Sequence, residues 1–165
     1  MGRTADYSRQ SCSIAATLEV IGDPWTLLVI RDAFGGLSRF EQWQEHLGVA
    51  RNVLAARLKT LVSHGILEPQ VYSERPLRHE YVLTKKGKDL YAVLLTLHGW
   101  GSKYMYGDGA GVAIIHKACG NLLDPGLACN CCGETVARRD IEIVKRPGKP
   151  VGEIMAELRA KEEAA

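Results

Sequence analysis

The sequence predicts a mainly α-helical fold with one β-hairpin, followed by a small β-rich appendage. Three observations predict this arrangement. Apolar residues recur at helical spacing over most of residues 12–104, the spacing changes to every second residue just after Gly65, and four of the five cysteines lie between Cys119 and Cys132. The 165 residues suffice for one ordinary domain with an appendage.

The composition is that of a soluble globular chain, with 46% hydrophobic and 24% charged residues, and this excludes a disordered chain. The longest apolar runs are far shorter than the roughly 20 residues that a membrane-spanning helix needs. The first residues also lack the apolar stretch of a secretory signal. We therefore expect no membrane partner and a cytoplasmic location, where the cysteines stay reduced.

The net charge of +2 is unevenly distributed. Residues 38–88 carry nine Lys or Arg and five Asp or Glu, whereas the segments on either side each have a balance of −1. An anionic partner would therefore meet the middle of the chain.

Three helices are predicted before residue 48. The first covers residues 12–21, and the second begins after Asp23 as N-cap with Pro24 in its first position. The second helix, residues 25–34, is apolar nearly all round and should be buried. Ser38 and Glu41 predict a capping box at the start of a third, short helix that ends at Gly48.

The fourth helix, residues 50–64, has one apolar stripe, formed by Leu54, Leu58 and Leu61. The opposite face carries short or polar residues, and no Asp or Glu occurs between Ala50 and Gly65. A helix without acidic residues is suited to lie against phosphates and base edges in a DNA major groove.

A β-hairpin follows this helix. Residues 66–72, interrupted by Pro69, and residues 80–83 predict two strands, joined by a loop of residues 73–79 that contains Arg75 and Arg78. A hairpin with a basic tip directly after two such helices predicts a winged helix-turn-helix fold. Thr84 should then cap a long helix, residues 84–105, whose two apolar faces indicate pairing with a second copy of the chain.

These elements resemble the HxlR-type transcriptional regulators, which are related to the MarR group. The resemblance covers about residues 8–105 and is carried by Cys12, residues 18–22, 25–28, 31–32, 39–40, 54–58, 65–67, 78–81 and 83–84, and Gly87. It implies a homodimer that binds a palindromic operator in double-stranded DNA. It also implies a sensor role for Cys12, since several members use the cysteine at this position to detect oxidants or electrophiles. The identity of a small-molecule or oxidant effector stays open.

The side chains that we expect to contact DNA are polar or basic and lie on the fourth helix, at the start of the third and in the hairpin loop: Arg51, Asn52, Lys59, Ser38, Arg39, Arg75 and Arg78. Arg57 flanks the apolar stripe, so its role as an ion-pair partner or a phosphate contact stays open.

Two short motifs in the C-terminal part predict a metal site. His116 and Cys119 are followed by a glycine, and Cys129 and Cys132 are followed by another. Such turns point backbone amides at ligand sulfurs, and three thiolates with one imidazole suit a closed, structural zinc site. Cys131 in place of Cys132, or free thiols without metal, are the alternatives.

The predicted organisation is a winged helix-turn-helix domain over residues 8–106, a linker over 107–111, a zinc-knuckle appendage over 112–146 and a tail with a short helix over 147–165. The alternative function is a thiol-based redox protein or enzyme with a zinc-ribbon appendage. No catalytic set of residues occurs at a meaningful spacing, so we expect no enzyme.

Overall fold

The computed structural model describes residues 12–106, 112–123, 125–144 and 148–162. The chain divides into two compact units, Met1–Pro125 and Gly126–Ala165. The predicted linker, residues 107–111, lies outside the described residues, as do residues 8–11 and 145–147. The division between the units falls after Pro125, between the two cysteine motifs.

Four helices form the first half of the fold: α1 (Ser13–Ile21), α2 (Pro24–Phe34), α3 (Phe40–Leu47) and α4 (Arg51–Ser63). The Asp23 carboxylate accepts the Trp25 amide at 3.0 Å, which confirms Asp23 as the cap of α2. Gly48, with φ of 61°, ends α3 in a left-handed conformation that favours glycine.

The expected capping box of Ser38 and Glu41 is wrong. Helix α3 begins at Phe40, and the Gln42 side chain accepts the amides of Ser38 at 3.1 Å and Arg39 at 2.9 Å. Ser38 is engaged elsewhere: its carbonyl accepts the Tyr81 amide at 2.7 Å. The residue is therefore tied to the hairpin and does not cap the helix.

The core lies where α2, α3, α4 and the start of the hairpin meet. Trp43 of α3 is fully buried, and α4 contributes the predicted stripe of Leu54, Leu58 and Leu61. The remaining buried members of this cluster are Ile21, Val29, Ile30, Val49, Ile66 and Leu67. Burial of these side chains stabilises the fold and fixes which face of α4 stays exposed.

The hairpin is longer than predicted. Strand β1 (Leu67–Glu74) pairs antiparallel with β2 (Leu77–Leu83), and only Arg75 and Pro76 separate the two strands. The prediction of a loop over residues 73–79 is therefore wrong, and Arg78 belongs to β2. The outer part of the hairpin is solvated on both faces, with Val71 54% and Leu77 63% exposed, so it lacks the apolar alternation by which strands are recognised.

The predicted helix over residues 84–105 is broken. Thr84 accepts the Gly87 amide and caps a single turn, α5 (Lys85–Lys88), and α6 (Tyr91–Gly101) follows, continuing as a π-helical turn from Ser102 to Tyr106. The Thr84 hydroxyl donates to the Gly65 carbonyl at 2.6 Å, and Lys86 Nζ donates to the His64 carbonyl at 2.8 Å. These bonds hold α5 against the end of α4.

The C-terminal part contains little regular β-structure. A single bridge joins Ile115 to Leu122 in the first unit, and another joins Ala128 to Thr135 in the second. The second unit also has a 3-10 turn, Arg138–Asp140, and a helix α7, Val151–Glu162, within the segment predicted as the tail.

Among the described residues, no single helix is long and apolar enough to cross a membrane. Helices α1 and α2 reach that length and composition only as a pair, and they are bent by 80° at their junction.

Two glycines in helical segments should respond oppositely to alanine. A Cβ at Gly87 would lie 2.2 Å from the Ile66 carbonyl oxygen, whereas one at Gly101 would meet nothing within 4 Å. We expect Gly87→Ala to lower the free energy of unfolding by about 1–3 kcal/mol. The matched Gly101→Ala should raise it by up to about 1 kcal/mol. Urea denaturation at equal protein concentration measures both, and equal effects would contradict the close contact at Gly87.

Candidate nucleic-acid interface

The exposed face of α4 carries the first group of predicted contacts. Arg51, Asn52 and Lys59 are all exposed, and no acidic side chain lies on the helix. Leu54, Leu58 and Leu61 hold the opposite face in the core. The helix therefore presents two cations and an amide to the solvent without a carboxylate among them.

The Arg51 guanidinium is held in place by α3. Its Cζ lies 4.7 Å from the centroid of the Phe40 ring, and its Nη1 donates to Gln44 Oε1 at 3.4 Å. Stacking on an aromatic ring limits the orientations of an arginine and leaves most of its N–H donors free. Arg51 is thus partly ordered at the junction of α3 and α4.

Glu80 joins the hairpin to the residues before α3. Its Oε2 accepts the Ser38 hydroxyl at 3.3 Å and lies 3.9 Å from Arg39 Nε. Arg39 and Glu80 also form an antiparallel bridge, so the chain before α3 runs beside β2 like a short third strand. The two predicted contacts Ser38 and Arg39 are therefore brought together on the hairpin.

Tyr72 links Arg39 to the hairpin cations. The Arg39 guanidinium lies 4.2 Å from the centroid of the Tyr72 ring. A hydrogen bond with Tyr72 also raises the pKa of Arg78. Arg75 is exposed at the hairpin turn, where the structure describes no such contact. Sequence reasoning missed Tyr72 and Glu80, because their contacts with Arg39 and Ser38 join segments more than thirty residues apart.

Arg57, whose role was open, forms an ion pair. Its Nε lies 3.5 Å from Asp23 Oδ1, and its side chain is 28% exposed. The pair ties α4 to the cap of α2, so Arg57 belongs to the scaffold.

A groove of about 460 Å³ separates α4 from the hairpin. Lys59 and Ser63 of α4 line one side, and His79 and Tyr81 of β2 line the other. The helix and the hairpin therefore form two distinct ridges.

The first cysteine motif lies within the first unit. His116 Nδ1 and Cys119 Sγ are 3.3 Å apart. The Gly120 amide donates to the His116 carbonyl at 2.8 Å, and Gly120 has a φ of 71° that favours glycine. This separation suits two ligands of one tetrahedral ion.

The second motif has the same turn within the second unit. The Gly133 amide donates to the Cys129 carbonyl at 2.8 Å, and Gly133 has a φ of 76°. The amides of Cys132 and Cys131 donate to the Cys129 sulfur and lower the pKa of that thiol. Among the described residues, no group of three or more His, Cys, Asp or Glu side chains converges to hold a metal ion.

Cys12 stands apart from these motifs. It is exposed immediately before α1, and its carbonyl accepts the Ala16 amide at 3.0 Å.

Comparison with known proteins identifies the fold and the family that the chain resembles. The HxlR-like helix-turn-helix family matches residues 20–108. An uncharacterized HTH-type transcriptional regulator of Mycobacterium tuberculosis is 40% identical over 137 residues, which cover 82% of this chain and 87% of the relative. The match covers 82% of the 165 residues, which is about 135 residues. Even a match that began at residue 1 would therefore extend past residue 108, where the family match ends.

Solved structures agree with the sequence comparison. The crystal structure of PA1607, a candidate transcription factor, has a TM-score of 0.74 and 36% identity, and the match covers 85% of this chain and 99% of that one. The redox regulator HypR in its reduced form has a TM-score of 0.53 and 28% identity, over 56% of this chain and 92% of that one. The winged helix-turn-helix architecture predicted from the sequence is thereby confirmed.

Proposed function

The chain belongs to the HxlR-like helix-turn-helix family, and from this premise we propose that it binds a palindromic operator in double-stranded DNA as a homodimer. Like the proteins that it resembles, it is a transcriptional regulator of the helix-turn-helix type, and it is not an enzyme.

The observation that carries the proposal is the acid-free exposed face of α4, flanked by cations that neighbouring aromatic rings orient. Arg51 on Phe40 and Arg39 on Tyr72 are partly ordered before any DNA arrives. Ordering of long basic side chains in advance lowers the entropy that is lost on binding.

In this proposal, α4 enters the major groove, with Arg51 and Asn52 at base edges or phosphates and Lys59 at a phosphate. Ser38 and Arg39 contact the sugar-phosphate backbone of the DNA beside the major groove. Arg75 and Arg78 on the hairpin reach the flanking minor groove.

Replacement of Arg51 by alanine should weaken operator binding by about 1–3 kcal/mol and relax its sequence preference. Arg78→Ala should lower the slope of log affinity against log salt concentration by about one, because one cation no longer neutralises a phosphate. It should change the sequence preference less than Arg51→Ala does. The operator is first selected from a pool of randomised duplexes, and affinity is then measured by fluorescence anisotropy at several salt concentrations.

The matched control for these variants is Arg139→Ala, which removes an arginine that is 89% exposed in the second unit. Its affinity should equal that of the unaltered chain. Unchanged affinity in both Arg51→Ala and Arg78→Ala would refute the proposed placement on DNA.

The homodimer is supported by apolar side chains that α6 leaves exposed. None of the residues of α6 is buried, and Leu97 is 49% and Trp100 59% exposed. Ile14 and Leu18 of α1 are exposed as well. A surface of this kind on a small protein marks an interface, and we propose that α6 pairs with α1 of a second copy.

A charge placed on this face should disrupt the dimer. We expect Leu97→Glu to produce monomers, because pairing would bury the carboxylate without a partner. Asn52→Glu is the control, since Asn52 is exposed on α4, which the proposed interface does not include. Light scattering over a range of concentrations measures the mass, and a dimeric Leu97→Glu protein would contradict this interface.

We further propose that His116, Cys119, Cys129 and Cys132 hold one structural zinc ion per chain. Within each motif the geometry suits a zinc ligand pair: a 3.3 Å separation in the first, and amide donors to the sulfur in the second. The similarity to the mycobacterial relative continues past residue 108, so the relative shares at least part of this C-terminal segment. Four protein ligands leave no position for a substrate.

Metal analysis of protein purified without chelator should find about one zinc per chain. Cys132→Ser should lose most of it, whereas Cys131→Ser, which alters the neighbouring exposed thiol, should keep it. Removal of the ion should loosen residues 112–146 and leave residues 12–105 folded, since none of the ligands belongs to that core. Zinc lost in Cys131→Ser and kept in Cys132→Ser would assign the ligand to Cys131, and metal-free wild-type protein would refute the site.

Cys12 is the proposed sensor of an oxidant or electrophile. Its exposure makes the thiol accessible, and its position before α1 places it beside the proposed interface. HypR, one of the structural neighbours, is a redox regulator. Modification of Cys12 would then act on DNA binding through the pairing of the two copies.

A further inference from the structure

A cavity of about 470 Å³ lies between α2 and α6 in the first unit. This volume falls within the range of small-molecule sites. We propose that it binds a flat, apolar organic anion, such as an aromatic carboxylate, and that Arg31 contacts the carboxylate. This proposal deepens the function proposed above by assigning a ligand class and a site to the effector.

The walls of the cavity suit a flat, apolar group. Leu27 and Phe34 of α2, Leu94 and Leu95 of α6, and Ile114 are among the apolar side chains that line it. The rings of Phe34 and Tyr91 lie 4.9 Å apart at an angle of 47°, which gives one wall an aromatic surface. An aromatic ligand would gain both apolar burial and ring contacts here.

The lining contains no carboxylate, and its polar side chains can all donate hydrogen bonds. His98 and Ser102, whose Nε2 and Oγ are 3.4 Å apart, lie on the α6 side. Arg31 lies on the α2 side with its side chain half exposed. A single cation among apolar walls selects for an anion over a neutral molecule of the same shape.

The Arg31 guanidinium has donors to spare for such a ligand. Its Nε and Nη2 contact Asp32 Oδ1 at 2.8 and 2.7 Å, which uses two of the five N–H donors of an arginine. A ligand carboxylate can therefore accept up to two of the remaining donors from the same guanidinium.

Asp32 connects this site to the DNA-binding elements. The carboxylate is 95% buried, and the oxygen that accepts Arg31 also lies 3.7 Å from His46 Nε2 on α3. A ligand that draws Arg31 toward the cavity would weaken the bond between Arg31 and Asp32. His46 would then be the remaining partner of the buried Asp32 carboxylate. The position of α3, and of Arg51 stacked on its Phe40, would respond.

A second copy of the chain is the competing occupant, because Leu97 lies both in the lining and on the exposed face of α6. An apolar helix that filled the cavity would leave the spare donors of Arg31 unpaired. The lining therefore favours a ligand with an acceptor group.

The test compares 2-naphthoate with its neutral carboxamide by calorimetry on the full chain without DNA. The carboxylate should bind about tenfold more tightly than the amide, the value of one charge-assisted hydrogen bond. Gly101 lines the cavity, and a Cβ there meets nothing within 4 Å, so Gly101→Leu should fill the space and weaken binding about tenfold or more. Gly152→Leu, at an equally open glycine of α7 in the second unit, is the matched control and should bind normally.

Three results would overturn the proposal: equal affinity for acid and amide, undiminished binding to Gly101→Leu, or no binding of 2-naphthoate at millimolar concentration. Loss of the dimer in Gly101→Leu together with no binding to the unaltered chain would assign the cavity to the second copy. Operator affinity with and without 2-naphthoate is measured separately. Ligand binding by a chain that binds no DNA would refute the proposed function alone, and DNA binding without ligand binding would refute the cavity site alone.

Discussion

Burial of one stripe of α4 is the constraint on which the rest of the surface depends. Leu54, Leu58 and Leu61 are each at most 2% exposed, and they pack into the cluster that contains Trp43. Because a helix repeats every 3.6 residues, fixing this stripe also fixes the direction of the opposite face. The acid-free side of α4 is therefore displayed by the same contacts that stabilise the domain.

The hairpin is attached to this core both by apolar side chains, Leu67, Tyr81 and Leu83, and by polar contacts. The Tyr81 amide donates to the Ser38 carbonyl, and Glu80 receives the Ser38 hydroxyl beside Arg39. Tyr72 then orients Arg39 and bonds to Arg78. A carboxylate near the cations costs some attraction for an anionic partner, but here it positions the start of α3 relative to the strands.

The sequence predicted those features that depend on local chemistry. The Asp23 cap and the α4 stripe follow from residues within one or two turns of each other, and both are confirmed. The engagement of Ser38 with Glu80 was missed, because the partners are 42 residues apart and no periodic pattern marks such a pair. The length of the hairpin was missed since its tip is solvated on both faces. The close approach of Gly87 to the Ile66 carbonyl was missed as well, because only the folded chain brings these two segments together.

The contact at Gly87 also has a geometric consequence for operator choice. It fixes α5 on the end of α4, so the bend at Asp89 and Leu90 sets the direction in which α6 leaves the DNA-binding domain. In the proposed dimer α6 pairs with α1 of the second copy, and this bend therefore influences the distance between the two copies of α4. Successive major grooves on one face of DNA are about 34–36 Å apart. A relative with a bulkier residue at this position would have to bend differently, and it would read half-sites with a different spacing even if its α4 were identical.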